Sequence, residues 1–134
     1  MSCGGAVSTR PRILCVDDEP MVLKSLAATL RKHFEVITAV GAHAALDLLA
    51  HEPDLRAVIS DYRMPGMDGG AFLTLVRERF PTVIRILLSG AGANDEVLTK
   101  SPGLLFRSLA KPCRRETLIQ AIEEALGQRP QVVS

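Results

Sequence analysis

Residues 55–65 read LRAVISDYRMP, an apolar run that stops at Ser60 and Asp61 and is followed at once by a turn around Pro65. Short, nearly continuous apolar runs rich in Val and Ile are typical of parallel strands that are covered on both faces. A carboxylate at the end of such a run lies where the strand reaches the surface. The stretch therefore predicts a buried strand that carries Asp61 at its C-terminal end.

Strand patterns and helix patterns alternate along the rest of the chain. The predicted strands are 12–16, 34–40, 56–60, 82–89 and 104–110. The predicted helices are 20–31, 42–50, 69–79, 94–101 and 114–127, the last of them ending at Gly127. The second strand alternates polar and apolar residues, so we expect it at an edge of the sheet. Alternation with short connections predicts an α/β fold with right-handed crossovers and helices on both faces of a parallel sheet.

Composition favours one globular domain. The chain has 134 residues, 47% of them hydrophobic, and its 16 basic and 15 acidic residues nearly cancel, which argues against direct binding of nucleic acid or an anionic membrane. No apolar stretch reaches the roughly 20 residues of a membrane span, and the N-terminus lacks the order of a signal peptide, so we expect a cytoplasmic protein. We expect a flexible lead-in over 1–11, the domain over 12–127, and a tail or the start of a linker over 128–134.

Cysteine and histidine spacing gives no sign of a zinc or redox site. The cysteines Cys3, Cys15 and Cys113 form no C-x-x-C pair, and we interpret them as reduced thiols, with Cys15 in the core. The three histidines lie on separate predicted elements without the spacing of metal ligands.

Polar residues follow four of the predicted strands. They are Asp17, Asp18 and Glu19 after the first strand, Asp61 after the third, Ser89 after the fourth and Lys111 after the fifth. In open α/β sheets, ligands bind outside the carboxyl ends of the strands. Three neighbouring carboxylates repel one another unless a cation lies between them, and Mg²⁺ suits one or two carboxylates together with phosphate oxygens. The pattern therefore predicts a magnesium site at this edge of the sheet, with Glu19 left to solvent.

The same residues predict phosphoryl transfer. Lys111 supplies a positive charge suited to a phosphoryl oxygen, and Ser89 supplies a hydroxyl that can donate a hydrogen bond to another. An Asp side chain acting as nucleophile gives an aspartyl phosphate, and a carboxylate needs no general base for this step. Asp61 is the candidate nucleophile.

Four motifs resemble the receiver domain of bacterial two-component response regulators, the CheY-like superfamily, from about Arg12 to Gly127. They are ILCVDDEP (13–20), VISDYRMPGMDGG (58–70), ILLSG (86–90) and LAKP (109–112). The resemblance implies a doubly wound, flavodoxin-like (βα)5 sandwich of three layers, with a five-stranded parallel sheet of order 2-1-3-4-5. It also implies a signalling switch that is phosphorylated by a histidine kinase or phosphotransfer protein and catalyses only its own phosphorylation and slow dephosphorylation.

The resemblance assigns a role to each site residue. Asp61 would be the phosphoacceptor; Asp18 would bind Mg²⁺ directly, and Asp17 would bind it mainly through water. The backbone carbonyl of Arg63 would be a further metal ligand. Lys111 would bind the phosphoryl group, and Pro112 would follow a cis peptide bond.

One position departs from the pattern of the family. Receivers usually carry an aromatic residue three positions before the lysine of the fifth strand, and that residue turns inward when the Ser or Thr, here Ser89, moves to the phosphate. This chain has Ser108 there. Phe106 lies two residues earlier and should point to the same side of the strand. Either Phe106 takes over part of the switching role, or the switch is weak.

Several functions compete with one another at this point. The leading hypothesis is a switch that acts through the face formed by 94–101, the fifth strand and the last helix, by binding a partner or by forming a homodimer. The resemblance also allows a C-terminal output domain outside this chain. The alternative is a degenerate receiver that acts as a constitutive protein-interaction module. An Asp-dependent hydrolase would need a second carboxylate where Arg63 lies, and a flavin-binding relative would need a phosphate loop where the first strand ends in acid.

Overall fold

Strands and helices alternate in the computed structural model, which describes residues 10–89, 107–110 and 114–128. The strands are β1 (Arg12–Asp17), β2 (Glu35–Val40), β3 (Leu55–Asp61), β4 (Ile84–Ser89) and β5 (Arg107–Ala110). The helices are α1 (Pro20–Leu30), α2 (Ala42–His51), α3 (Gly69–Arg79) and α4 (Arg115–Gln128). The predicted helix over 94–101 lies outside the described residues.

The five strands form one parallel sheet of order β2-β1-β3-β4-β5. This confirms the predicted order, and it confirms that the second strand lies at an edge. The strand order reverses between β1 and β3, so their carboxyl ends are neighbours at the place where α/β sheets bind ligands. The order of the strands thus positions the site.

Two apolar layers cover the two faces of the sheet. Ala57 and Ile59 of β3 pack in one layer with residues of α1 and α4, whereas Val58 packs in the other with residues of α2 and α3. The two layers follow from the period of two along a strand, which sends successive side chains to opposite faces. Cys15 is fully buried in the first layer, as predicted. The predicted three-layer sandwich is confirmed.

Several predicted boundaries of strands and helices were wrong by one or two residues. The fourth strand begins at Ile84 rather than at residue 82, because the Val83 N–H donates to the Phe80 carbonyl at 3.0 Å and closes a turn there. The second strand begins at Glu35, because the Phe34 N–H is still bonded to the Leu30 carbonyl at 3.0 Å. Helix α4 continues to Gln128, so the glycine at 127 does not end it.

An ion cluster ties the strands together at the amino ends of β1, β2 and β3, opposite the carboxyl ends. The Arg12 guanidinium contacts carboxylate oxygens of Glu35 at 3.2 Å, Glu52 at 2.8 Å and Asp54 at 2.7 Å. The hydrogen bond to Glu52 is the main cause that raises the pKa of Arg12. One cation thus links two strands and the turn between α2 and β3.

None of the described helices combines the length and the apolar character that a membrane crossing requires.

Candidate functional site

Three carboxylates meet at the carboxyl ends of β1 and β3. Asp17, Asp18 and Asp61 each offer one oxygen, and these oxygens all lie within 4.8 Å of one another. The register explains their meeting, because Val16 of β1 is the partner of Ser60 of β3, and an aspartate follows each of them. Asp17 and Asp61 are buried, with 3% and 9% of their surface exposed, while Asp18 is half-buried.

Asp17 is fixed by backbone contacts on two sides. One of its carboxylate oxygens accepts from the Glu19 N–H at 3.0 Å, and its carbonyl accepts from the Gly41 N–H at 3.0 Å. Helix α1 starts with Pro20, and the residue that precedes it, Glu19, makes no side-chain cap bond. Asp17 and Asp18 come just before this helix, but neither residue is its N-cap. Their carboxylates instead meet that of Asp61.

The loop after Asp61 is bonded tightly to its neighbours. The Tyr62 N–H donates to the Leu88 carbonyl of β4 at 2.9 Å, and the Gly69 N–H donates to the Tyr62 carbonyl at 2.7 Å. Asp68 is the N-cap of α3, and its side chain accepts from the Ala71 N–H at 2.8 Å. Asp68 thus caps the helix that the sequence predicts over 69–79. The loop is thus held at β4 and at α3.

Arg63 is the second residue after Asp61, and its side chain is exposed. The guanidinium of Arg63 is therefore open to solvent. Its backbone carbonyl as a metal ligand stays a prediction.

The other predicted site residues lie at the margin of the described structure. Ser89 is the last residue of β4 and pairs with Ala110 of β5, and Ser108 pairs with Leu87. Lys111, Pro112 and Phe106 lie outside the described residues. The predicted roles of Ser89 and Lys111 at the phosphoryl group, and of Phe106 and Ser108 in switching, therefore stay predictions.

The donor set of this site fits a hard divalent cation. Oxygen ligands from carboxylates suit Mg²⁺, whereas zinc sites use Cys and His. Among the described residues, the carboxylates of Asp17, Asp18 and Asp61 lie close enough together to hold a metal ion. This group contains no Cys or His. The chemistry of the site is that of an acidic, oxygen-lined cation pocket beside a strand-end carboxylate.

Sequence reasoning missed two residues next to Asp61. The Ser60 hydroxyl is fully buried and donates to the Asp61 carbonyl at 2.9 Å, and Gly69 lies directly against the same carbonyl. Ser60 offered a weak signal, since it is a polar residue inside an otherwise apolar strand. Gly69 is the first residue of the predicted helix over 69–79, and nothing in the sequence indicates its close packing.

Comparisons with known proteins agree with this geometry. The chain matches the response regulator receiver domain family over residues 13–123. The hydrogenase transcriptional regulatory protein HoxA of Cupriavidus necator is 33% identical over 115 residues, which cover 85% of this chain and 24% of that protein. The response regulator protein FleR of Pseudomonas aeruginosa is 36% identical over 121 residues, which cover 89% of this chain and 25% of that protein. The chain thus spans about a quarter of the length of these relatives.

Two solved structures are similar over nearly the whole chain. A response regulator receiver domain protein from Clostridium thermocellum has a TM-score of 0.84 and 27% identity, covering 90% of this chain and 98% of that one. The signal receiver domain of an HD domain-containing protein from Pseudomonas fluorescens has a TM-score of 0.82 and 32% identity, covering 91% of this chain and 98% of that one.

Proposed function

Because the chain belongs to the response regulator receiver domain family, we propose that it is a phosphorylation-controlled switch whose phosphoacceptor is Asp61. The observation that carries the proposal is the meeting of the Asp17, Asp18 and Asp61 carboxylates within 4.8 Å at the carboxyl ends of two central strands. This arrangement favours the phosphoacceptor function over the degenerate receiver, which has no need of three acids at one point.

The chain's own residues would bind Mg²⁺ and present a nucleophile. Asp18 and Asp61 would hold the ion through carboxylate oxygens and Asp17 would hold it mainly through water, with the Arg63 carbonyl as a further ligand. When bound, Mg²⁺ supplies positive charge that offsets the carboxylates and the oxygens of the incoming phosphoryl group. Asp17 is buried and fixed by the Glu19 N–H, so it contributes to a site whose shape is set before the donor arrives.

The reaction that we propose is a direct transfer of a phosphoryl group to Asp61. The donor carries the group on an imidazole nitrogen or on an acyl oxygen. An Asp61 carboxylate oxygen attacks the phosphorus of a phosphohistidine or of a small acyl phosphate, and the bond from phosphorus to the leaving group breaks. The leaving imidazole or carboxylate keeps the bonding electron pair. Catalysis comes from positioning the acceptor and neutralising charge, with Ser89 and Lys111 as the predicted ligands of the phosphoryl oxygens.

Phosphorylation of Asp61 would change how the chain binds its partners. We propose that it biases the face formed by 94–101, β5 and α4 toward a partner or toward a second copy of the chain. The upstream partner would be a histidine kinase or phosphotransfer protein. Downstream, the chain would act on a C-terminal output domain outside this chain or on a separate partner. The chain would act in the cytoplasm, where ATP charges such kinases, as a switch that turns over only its own phosphoryl group.

Intact mass spectrometry tests the proposal. The purified chain is incubated with acetyl phosphate and Mg²⁺, and we expect a gain equal to one phosphoryl group. Asp61→Asn should stay unlabelled, while Asp47→Asn, which changes an exposed aspartate on α2, should label as the wild type does. A wild-type chain that stays unlabelled with donor and metal, or an Asp61→Asn chain that labels equally, would contradict the assignment.

A further inference from the structure

A buried hydroxyl and a glycine converge on the peptide group that joins Asp61 to Tyr62, and neither has a part in the transfer described above. We propose that Ser60 and Gly69 are positioning residues, which hold this peptide group so that the Asp61 carboxylate faces Asp17 and Asp18. The inference rests on the proposed function of Asp61 and deepens it.

Ser60 of β3 lies between apolar residues of the two adjacent strands. Its Cα partners are Val16 of β1 and Leu87 of β4, and none of its surface is exposed. A hydroxyl in such surroundings is unfavourable unless it is hydrogen-bonded. Its hydroxyl donates to the Asp61 carbonyl at 2.9 Å. This bond offsets the burial of the hydroxyl and fixes the direction of the carbonyl.

The N–H of the same peptide group is fixed from the other strand. The Tyr62 N–H donates to the Leu88 carbonyl at 2.9 Å. Both polar atoms of the Asp61–Tyr62 peptide thus have partners, one supplied by β3 itself and one by β4. A peptide plane held at both atoms cannot rotate without breaking a bond, so the backbone of Asp61 is set.

Gly69 is required for space rather than for backbone conformation. Among the described residues, only Gly41 and Gly66 have a positive φ, so Gly69 does not need the left-handed region. A Cβ built at Gly69 would lie 2.5 Å from the Asp61 carbonyl oxygen and 2.8 Å from the Tyr62 Cα. Both are backbone atoms, so they cannot swing aside as a side chain would. A methyl group at 69 must therefore displace either the Asp61–Tyr62 segment or the start of α3.

The two residues act on one oxygen. The Asp61 carbonyl oxygen accepts from the Ser60 hydroxyl, and it also occupies the space that a Cβ at position 69 would need. A shift of that carbonyl moves the attached Asp61 side chain relative to Asp17, which is anchored independently on β1. Ser60 and Gly69 therefore influence the phosphoacceptor through its backbone and touch neither metal nor donor.

Paired variants test the proposal against matched controls. Gly69→Ala is compared with Gly127→Ala, an exposed helical glycine whose added Cβ meets nothing within 4 Å. Ser60→Ala is compared with Ser25→Ala, which removes an exposed hydroxyl from α1. Mg²⁺ affinity is measured by the fluorescence of Tyr62, the one tyrosine of a chain without tryptophan. Labelling from acetyl phosphate is followed by mass, and circular dichroism reports folding.

We expect the site variants to lose function out of proportion to stability. Gly69→Ala should slow labelling by about tenfold or more, since small misplacements of reacting groups have large effects on rate. Ser60→Ala should weaken Mg²⁺ binding and labelling by about three- to tenfold, the range of one lost hydrogen bond. Both controls should stay within about twofold of the wild type, the ordinary scatter of surface substitutions.

Several outcomes overturn the positioning role. Mg²⁺ affinities and labelling rates equal to those of the controls would do so, and so would a lowered melting temperature with unchanged site properties. If Gly69→Ala does not fold, the Ser60 pair decides, because it removes a single oxygen atom. A wild-type chain that cannot be labelled refutes the proposed function, whereas fully active site variants refute only the positioning.

Discussion

Asp18→Asn should stabilise the metal-free protein. The substitution removes one of three carboxylates whose oxygens lie within 4.8 Å of one another, and it keeps the shape of the side chain. Two unit charges at this distance repel by about 0.9 kcal/mol in water and by about 3.5 kcal/mol at an effective dielectric constant of 20. Asp18 is half-buried and has two such neighbours. We expect the free energy of unfolding to rise by about 1–3 kcal/mol at low salt.

Magnesium should reduce or remove this difference in stability. A ligand that binds only the folded state stabilises it by RT ln(1 + [L]/Kd), which is about 1.4 kcal/mol at a concentration ten times Kd. The wild type should gain this amount from Mg²⁺, whereas Asp18→Asn lacks one carboxylate ligand and should gain much less. The gain from the substitution seen in EDTA should therefore shrink or disappear as Mg²⁺ is added.

Urea unfolding followed by far-UV circular dichroism measures both effects. The wild type, Asp18→Asn and the exposed-site control Asp47→Asn are compared in EDTA and in Mg²⁺, at low and at high salt. High salt should reduce the difference in EDTA, because it screens charges that are open to solvent. If metal-free Asp18→Asn is no more stable than the wild type at an equal m-value, the three carboxylates do not form a repulsive cluster and the argument for a cation site fails.

Three further predictions concern the scaffold. Burial raises the pKa of the Cys15 thiol to about 12 from 9.0, so the folded state keeps a proton that the unfolded chain loses above pH 9. Stability from this group is complete below pH 9 and falls as the pH rises toward 12. Between pH 7 and 10 the wild type should lose about 1–2 kcal/mol more than Cys15→Ala in urea unfolding, and equal losses would contradict the burial argument. Arg12→Gln should lower the free energy of unfolding by about 1–2 kcal/mol, because three carboxylates lose their shared cation; an unchanged melting temperature would show that the ion cluster is neutral for stability. Asp68→Ala should lower the free energy of unfolding by about 1 kcal/mol through loss of the N-cap bond, and Asp68→Ser should restore most of that loss. Equal effects of Ala and Ser in urea unfolding would rule out a capping role.

Sequence patterns were sufficient for the elements and for the meeting of the acids. The apolar runs of β1 and β3 differ from their surroundings so clearly that both strand ends could be predicted to within one residue, and parallel strands place their carboxyl ends at one edge. The approach of Asp17 to Asp61 also needs β1 and β3 to be adjacent, which the resemblance to receiver domains implies and the strand order confirms. Because successive side chains of β3 point to opposite faces of the sheet, the division of the core into two layers could be predicted as well.

The details that could not be predicted depend on distances between elements. The run TVIRILLS looks continuous, yet its first residues belong to a turn that closes on Phe80, since a local hydrogen bond competes with strand pairing. Gly127 resembles a helix stop, but a glycine ends a helix only when its φ turns positive, which residue type alone does not decide. The contact of Gly69 with the Asp61 carbonyl depends on how closely α3 packs on β3, and no pattern in one dimension reports that distance.

The bond from the Tyr62 N–H to the Leu88 carbonyl joins the residue after Asp61 to the residue before Ser89. The carboxyl ends of β3 and β4 therefore cannot move apart without breaking this hydrogen bond. A displacement of the Asp61 backbone should therefore move the end of β4 as well as that of β3. Local opening at the end of one strand should increase opening at the end of the other. Amide hydrogen exchange at Tyr62 measures how often the bond between them opens.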